Sequence, residues 1–181
     1  MSGDYPVWQY YPVSARAPDW VGAFVGVVRA ARSEIESKVV TGLTSDRVLS
    51  HVALGLRDLG YQVETGKAVI ERIRRPVLFG PNGHERVAYE VDAVHDDLGI
   101  VVEIEAGRGA RGNATYRDLI RASLIVGAKF LVLGVMLEYR HNRGTKVTRV
   151  ASYNDAREQL DAIYASGRLR LPFDGLLLFG Y

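Results

Sequence analysis

Apolar residues recur along this chain with two different periods, and the changes of period divide it into elements. From Asp19 to about Val40, Trp20, Phe24, Val27, Val28, Ala31 and Ile35 return at helical spacing, with Asp19 as N-cap and Glu34, Glu36 and Lys38 on the wet face. Thr41-Gly42 breaks the pattern. Thr44 or Ser45 then caps a second predicted helix, whose Val48, Leu49, Val52, Leu56 and Leu59 form one stripe before Gly60. A strand is predicted from Tyr61 to about Ile73, interrupted near Gly66, and Pro81-Asn82-Gly83 supplies a turn. Further on, Asn113 caps a predicted helix to about Gly127, and Phe130 to Leu137 is apolar throughout, as a buried strand is. Strand, helix and apolar strand in that order predict a right-handed parallel crossover. Lys146 to Tyr153 predicts another strand, Asn154 or Asp155 caps a helix to about Ala165, and Gly175 to Tyr181 is the last strand. Residues 1–18, rich in Tyr, Trp and Pro, read as an extended arm whose aromatics pack on the body. No repeat or linker interrupts the series. The expected architecture is one α/β domain over residues 1–181, a mixed β-sheet flanked by helices.

Between the turn at Pro81 and the helix at Asn113 the period is two. Val87, Tyr89, Val91 and Ala93 alternate with Glu90 and Asp92, and Ile100, Val102 and Ile104 alternate with Glu103 and Glu105. His95-Asp96-Asp97-Leu98-Gly99 between them is turn chemistry, so the segment predicts a β-hairpin. A loop of either two residues (Asp97-Leu98) or four (Asp96 to Gly99) sets Asp92 opposite Glu103 and Glu90 opposite Glu105. Four carboxylates on one face, with facing Cβ atoms roughly 5 Å apart, destabilise a sheet unless a cation neutralises them. That cation is either a divalent metal or a set of arginines.

Composition narrows the partners. The 181 residues contain 48% hydrophobic and 24% charged side chains, as a soluble globular domain does. With no cysteine there is no disulfide framework, no thiolate zinc site and no thiol nucleophile, and a cytoplasmic location is expected. His51, His84, His95 and His141 show no metal-ligand spacing. The N-terminus lacks the basic and apolar regions of a signal peptide, and no apolar run is long enough to span a membrane. Net charge is only +2, but Ala106 to Arg149 holds nine basic residues against Asp118 and Glu138, a block of +7 that starts where the acidic hairpin ends. A polyanion is the natural partner of such a block.

Helix, strand, strand bearing Asp, strand bearing Glu-x-Glu, helix, strand resembles the PD-(D/E)XK, or restriction-endonuclease-like, nuclease superfamily. The match is Asp92, ten residues, then Glu103-Ile104-Glu105, within a core of about 44–137. The resemblance implies an αβββαβ core with an N-terminal helix and a C-terminal α/β extension. It also implies an endonuclease that hydrolyses DNA phosphodiester bonds, of restriction, defence or repair type. Glu105 stands where most members carry lysine, a pattern similar to BamHI-type restriction enzymes, and Glu90-Val91 stands where the family's proline would be. On this resemblance Asp92 and Glu103 bind Mg²⁺, for which Mn²⁺ substitutes, and Glu105 positions or deprotonates the attacking water. Glu90 is a further ligand or holds a basic side chain, and Asp46 or Glu36 is the extra helix acid such folds often add. Hard oxygen ligands without His or Cys suit Mg²⁺ or Mn²⁺. Arg108 and Arg111, in a loop opening a helix, are placed to meet a phosphate, and Asn113, Arg117 and Arg121 continue that surface. Cutting both strands would suggest a homodimer.

Rival readings start from the same residues. Gly107-Arg108-Gly109-Ala110-Arg111-Gly112 satisfies G-x-G-x-x-G, but the acidic ribose partner about 20 residues on is missing and Glu103 and Glu105 would repel a pyrophosphate. His141-Asn142 has no second histidine at helical distance, and a glycosidase cleft would be lined by aromatics rather than arginines. The bland alternative is a solvated acidic face paired with Arg72, Arg74 or Arg86. Its functional counterpart is a nuclease fold that has lost catalysis and binds nucleic acid or another partner.

Overall fold

The computed structural model describes residues 5–107, 113–143 and 146–181, with side chains described at all of these except 142, 143 and 146. In chain order the elements are β1 (Val7–Tyr11), α1 (Asp19–Ala30), α2 (Arg32–Ile35), α3 (Ser45–Asp58), β2 (Gln62–Val63), β3 (Ile73–Phe79), β4 (Glu85–Val91), β5 (Ala93–His95), β6 (Ile100–Glu105), α4 (Ala114–Ser123), β7 (Phe130–Val135), β8 (Tyr139–Arg143), β9 (Lys146–Val150), α5 (Ser152–Ser166) and β10 (Gly175–Gly180).

Six strands form one mixed sheet in the order β1-β10-β7-β6-β5-β2. β6, β7 and β10 run parallel, while β1, β5 and β2 pair antiparallel to their neighbours. The parallel strands are apolar on both faces because helices cover both. Ile100, Val102 and Ile104 of β6 pack with Val21, Phe24 and Val28 of α1 and Val48, Val52 and Leu56 of α3. On the opposite face Val101, Leu131 and Leu133 meet Leu119 and Ala122 of α4 and Ala156, Leu160 and Ile163 of α5. The fold is thus a mixed α/β sheet flanked by helices.

Local chemistry explains the element ends. The Thr44 side chain accepts from Arg47 N–H at 3.2 Å and caps α3, which Gly60 ends at φ +90°. Asp19 is the first residue of α1 rather than its cap, that position falling to Pro18. The single helix expected to Val40 breaks at Ala31, and α2 turns Ile35 into full burial. The arm of residues 1–18 supplies β1, an edge strand against β10 that buries Tyr10 and Tyr11. The expected strand from Tyr61 to Ile73 is only two residues long, β2, followed by a 3₁₀ turn at Val69–Glu71.

The acidic hairpin is built in two pieces. β5 and β6 pair Ala93 with Val102 and His95 with Ile100, which is the four-residue loop Asp96 to Gly99 and sets Asp92 across from Glu103. At Asp92 the chain bends, and β4 leaves the main sheet to pair with β3 as a separate two-stranded ribbon. The expected pairing of Glu90 with Glu105 is therefore not made. Glu90 lies opposite Arg74 in the ribbon, so opposite charges face each other where two acids would have.

Candidate active site

At the carboxyl ends of the parallel strands, several short pieces of chain meet around a cavity of about 290 Å³. β6 delivers Glu103 and Glu105, the bend before β5 delivers Asp92, the first turn of α3 delivers Ser45 and Asp46, and the exit of β2 delivers Glu64. α4 contributes Arg117 and Arg121, and the ribbon contributes Arg72 and Glu90. Two contacts fix the geometry: Glu64 N–H donates to the Asp92 carbonyl at 2.9 Å, and Ala106 N–H donates to Ser45 Oγ at 3.3 Å. Tyr181 O–H donates to the Glu105 carbonyl at 2.8 Å, tying the last residue of the chain to the site.

Among the described residues six carboxylates line the cavity, Asp46, Glu64, Glu90, Asp92, Glu103 and Glu105, against four cations, Lys67, Arg72, Arg117 and Arg121. Asp118, 1% exposed on α4, adds a seventh acid just behind them, and its Oδ2 accepts no hydrogen bond among the described groups. Part of the charge is paired. Arg72 Nη1 meets both Glu90 oxygens at 2.8 Å, Lys67 reaches Asp46 at 2.9 Å, and Arg117 bridges Glu105 and Asp118. Arg121 is spent on the Glu90 carbonyl at 3.1 Å and on the Tyr89 ring. Asp92 and Glu103 have no ion-pair partner among the described residues; Asp92 Oδ2 takes only the Ile104 N–H, at 2.6 Å.

The buried acids bind protons more tightly than exposed carboxylates do. Burial, against the help of Ile104 N–H and with Glu64, Asp118 and Asp46 nearby, pushes Asp92 up to about 6. Burial and then the Asp92 and Asp118 charges drive Glu103 well above the ordinary carboxylate range. Glu105 rises to about 7, first through burial and then through Asp118, with Arg117 opposing. Glu64 is also raised by burial, partly offset by Arg72. A site of this kind takes up either protons or a cation.

A divalent metal fits that demand by donor chemistry. Asp92 Oδ1 and the Glu103 carboxylate are hard, largely buried oxygens with no ion-pair partner among the described residues, Arg121 only partly offsetting the rise at Glu103. Among the described residues no three His, Cys, Asp or Glu side chains converge as a ready-made metal cage. Mg²⁺ rarely uses one: it is commonly held by one or two carboxylates, with waters and substrate phosphate completing its shell.

Of the residues picked out by sequence, Asp92, Glu103, Glu105, Asp46, Arg117 and Arg121 come together here, together with Glu90 in its pair with Arg72. Glu36 does not: it pairs with Arg32 at 2.8 Å and takes no place in the lining. Asn113 precedes α4 at φ 60°, caps it with no side-chain hydrogen bond and is exposed. Arg108, Arg111 and the rest of the glycine loop after Gly107 lie outside the described residues. Sequence reasoning missed Glu64 and the role of Asp118. A signal for Asp118 existed, since Thr115, Asp118, Leu119 and Ala122 share the buried stripe of α4, where a carboxylate is out of place. Comparison with family models, with curated proteins and with solved structures found no match.

Proposed function

We propose that the chain is a Mg²⁺-dependent endonuclease that hydrolyses DNA phosphodiester bonds, of restriction, defence or repair type. The observation that carries this reading is the convergence of Asp92, Glu103 and Glu105 in one polar cavity where, among the described residues, acids outnumber cations. The order α3, β2, β5, β6, α4, β7, with the β3–β4 ribbon inserted between β2 and β5, supports the αβββαβ core of the PD-(D/E)XK resemblance.

In this reading each residue has a separate task. Asp92, oriented by the Ile104 N–H, and Glu103 hold Mg²⁺, with Mn²⁺ as substitute. Bound Mg²⁺ supplies positive charge to the phosphoryl oxygens and lowers the pKa of the attacking water. Glu105 turns the oxygen that Arg117 leaves free toward that water and accepts its proton. The water oxygen bonds to phosphorus, the bond to the leaving sugar oxygen breaks, and that oxygen takes a proton from solvent. Arg117 steadies Glu105, and Arg121 lines the same cavity, held by the Glu90 carbonyl and the Tyr89 ring. One such cluster cuts one strand, so a double-strand break needs two copies of the chain or two encounters.

A second reading, a nuclease-fold module that binds without cutting, draws on Arg117, whose guanidinium already occupies both Glu105 and Asp118. Plasmid DNA separates the two. Nicking or linearisation in Mg²⁺ that stops in EDTA is expected. Binding without cleavage under Mg²⁺ and Mn²⁺ selects the second reading, and cleavage that persists in EDTA contradicts the first.

A further inference from the structure

The β8–β9 ribbon leaves the sheet on the same edge as the carboxylates. β7 and β6 run parallel with Val135 beside Glu105, and β8 begins four residues later. A side chain at Gly107, the second residue after Glu105, would sit 3.8 Å from the Tyr139 ring. The ribbon therefore stands beside the exit of β6. Its two strands carry Arg140, Arg143, Lys146 and Arg149, and residues 139–150 include no acid.

Register makes this charge more than a count. Arg140 is the direct partner of Arg149, so this cross-strand pair sets like charges opposite each other, and in the backbone register Arg143 is the partner of Lys146. Such pairs destabilise a two-stranded ribbon. Among the described residues one carboxylate answers the Arg140–Arg149 pair: Glu138 Oε1 lies 2.5 Å from Arg140 Nε and 3.8 Å from Arg149 Nε. Glu138 is held below its ordinary range by the Arg140 hydrogen bond and then by the charges of Arg140, Arg149 and Lys38, so three cations share one anion. Arg140 also donates to the Lys38 carbonyl at 2.6 Å, which ties the ribbon's base to the body. Arg149, 67% exposed, is left facing solvent.

We infer that the β8–β9 ribbon is a duplex-DNA contact, lying in the major groove and engaging phosphates through Arg149 and its neighbours, beside the cut made by the carboxylate site. The inference rests on the nuclease reading for its choice of substrate. The shape argument is independent of it. A two-stranded antiparallel ribbon fits the roughly 12 Å major groove of B-form DNA. The major groove of A-form RNA is too deep and narrow for it. Five residues per strand give the ribbon a reach of roughly 15 Å, enough to contact phosphates flanking the one being cut. Phosphate then supplies the anion that Glu138 alone does not.

The test is binding of a fluorescent 20-base-pair DNA duplex by the full chain in EDTA, over about 50 to 200 mM salt. Arg149→Gln is expected to weaken binding roughly five- to tenfold and to reduce the slope of log affinity against log salt by about one. Arg149→Lys should restore the slope, because a phosphate contact needs a cation rather than a fork. Arg168→Gln, an exposed arginine between α5 and β10 at the opposite end of the parallel strands, should match the parent protein. Wild-type affinity and slope in Arg149→Gln would overturn the ribbon proposal, and so would an equal effect on an RNA duplex of the same sequence. Plasmid cleavage in Mg²⁺, run in parallel, keeps the two claims apart. Ribbon-dependent binding without cleavage removes the nuclease and keeps the ribbon, and cleavage with ribbon-independent binding does the reverse.

Discussion

Glu103→Gln is expected to lower Mg²⁺-dependent cleavage roughly a thousandfold, the equivalent of about 4 kcal/mol of transition-state stabilisation, while leaving the metal-free fold intact. The two halves of that expectation have one cause. Glu103 is 9% exposed and has no ion-pair partner among the described residues, so burial favours its protonated form. Glutamine has the shape and neutrality of that form, and its amide N–H groups find acceptors in the neighbouring acids. What it cannot supply is the anionic oxygen that would hold the proposed metal. Single-turnover cleavage, with circular dichroism on the same samples, checks both. A variant that cuts at the parent rate removes Glu103 from the mechanism. One that loses activity together with its fold shows a structural role instead.

The second large effect is on stability. Asp92 has a folded pKa of about 6, above its unfolded value of about 3.9. An acid shifted upward binds its proton more tightly in the folded state. Its contribution is therefore full below about pH 3.9 and is lost as pH rises through about 6, up to roughly 3 kcal/mol. Glu103 and Glu105 are shifted in the same direction. Metal-free wild type should thus melt at a lower temperature at pH 8 than at pH 5. Asp92→Asn keeps an oxygen for the Ile104 N–H but cannot ionise, so at pH 8 in EDTA it should melt on the order of 5–10 °C above wild type. Saturating Mg²⁺ should narrow or reverse that order, because only wild type gains binding free energy. A lower melting temperature for Asp92→Asn at pH 8 in EDTA would mean that Asp92 is a stabilising ion-pair partner and not an uncompensated charge.

How much of this was legible in the sequence follows the range of the interactions. The alternation around Asp92 and Glu103 is local, and with one short turn it predicted the register that pairs Ala93 with Val102. The apolar run at Phe130 likewise announced a central strand, and it lies parallel to β6. The departure of β4 into its own ribbon was not legible, because β4 can pair either with β3, just before it across the Pro81–Gly83 turn, or with β6 after it, and alternation does not say which partner wins. β1 was invisible because of distance: its partner, β10, is at the other end of the chain. β8 was missed because Arg140, Asn142 and Arg143 lack an apolar face, so period gives no signal. Within the site, the acids carried by the hairpin were readable. Glu64 and, among the described residues, the balance of four cations against seven carboxylates emerged only once α3, α4 and the ribbon were brought to one edge of the sheet.

The central claim is that Asp92 and Glu103 hold a divalent metal together, and anomalous scattering from crystals of the protein grown in Mn²⁺ tests it most directly. The expected result is a single strong peak between the two carboxylates in wild type and none in Glu103→Gln. Wild-type crystals at saturating Mn²⁺ with no peak in the cavity, or with one that persists unchanged in Glu103→Gln, would contradict it.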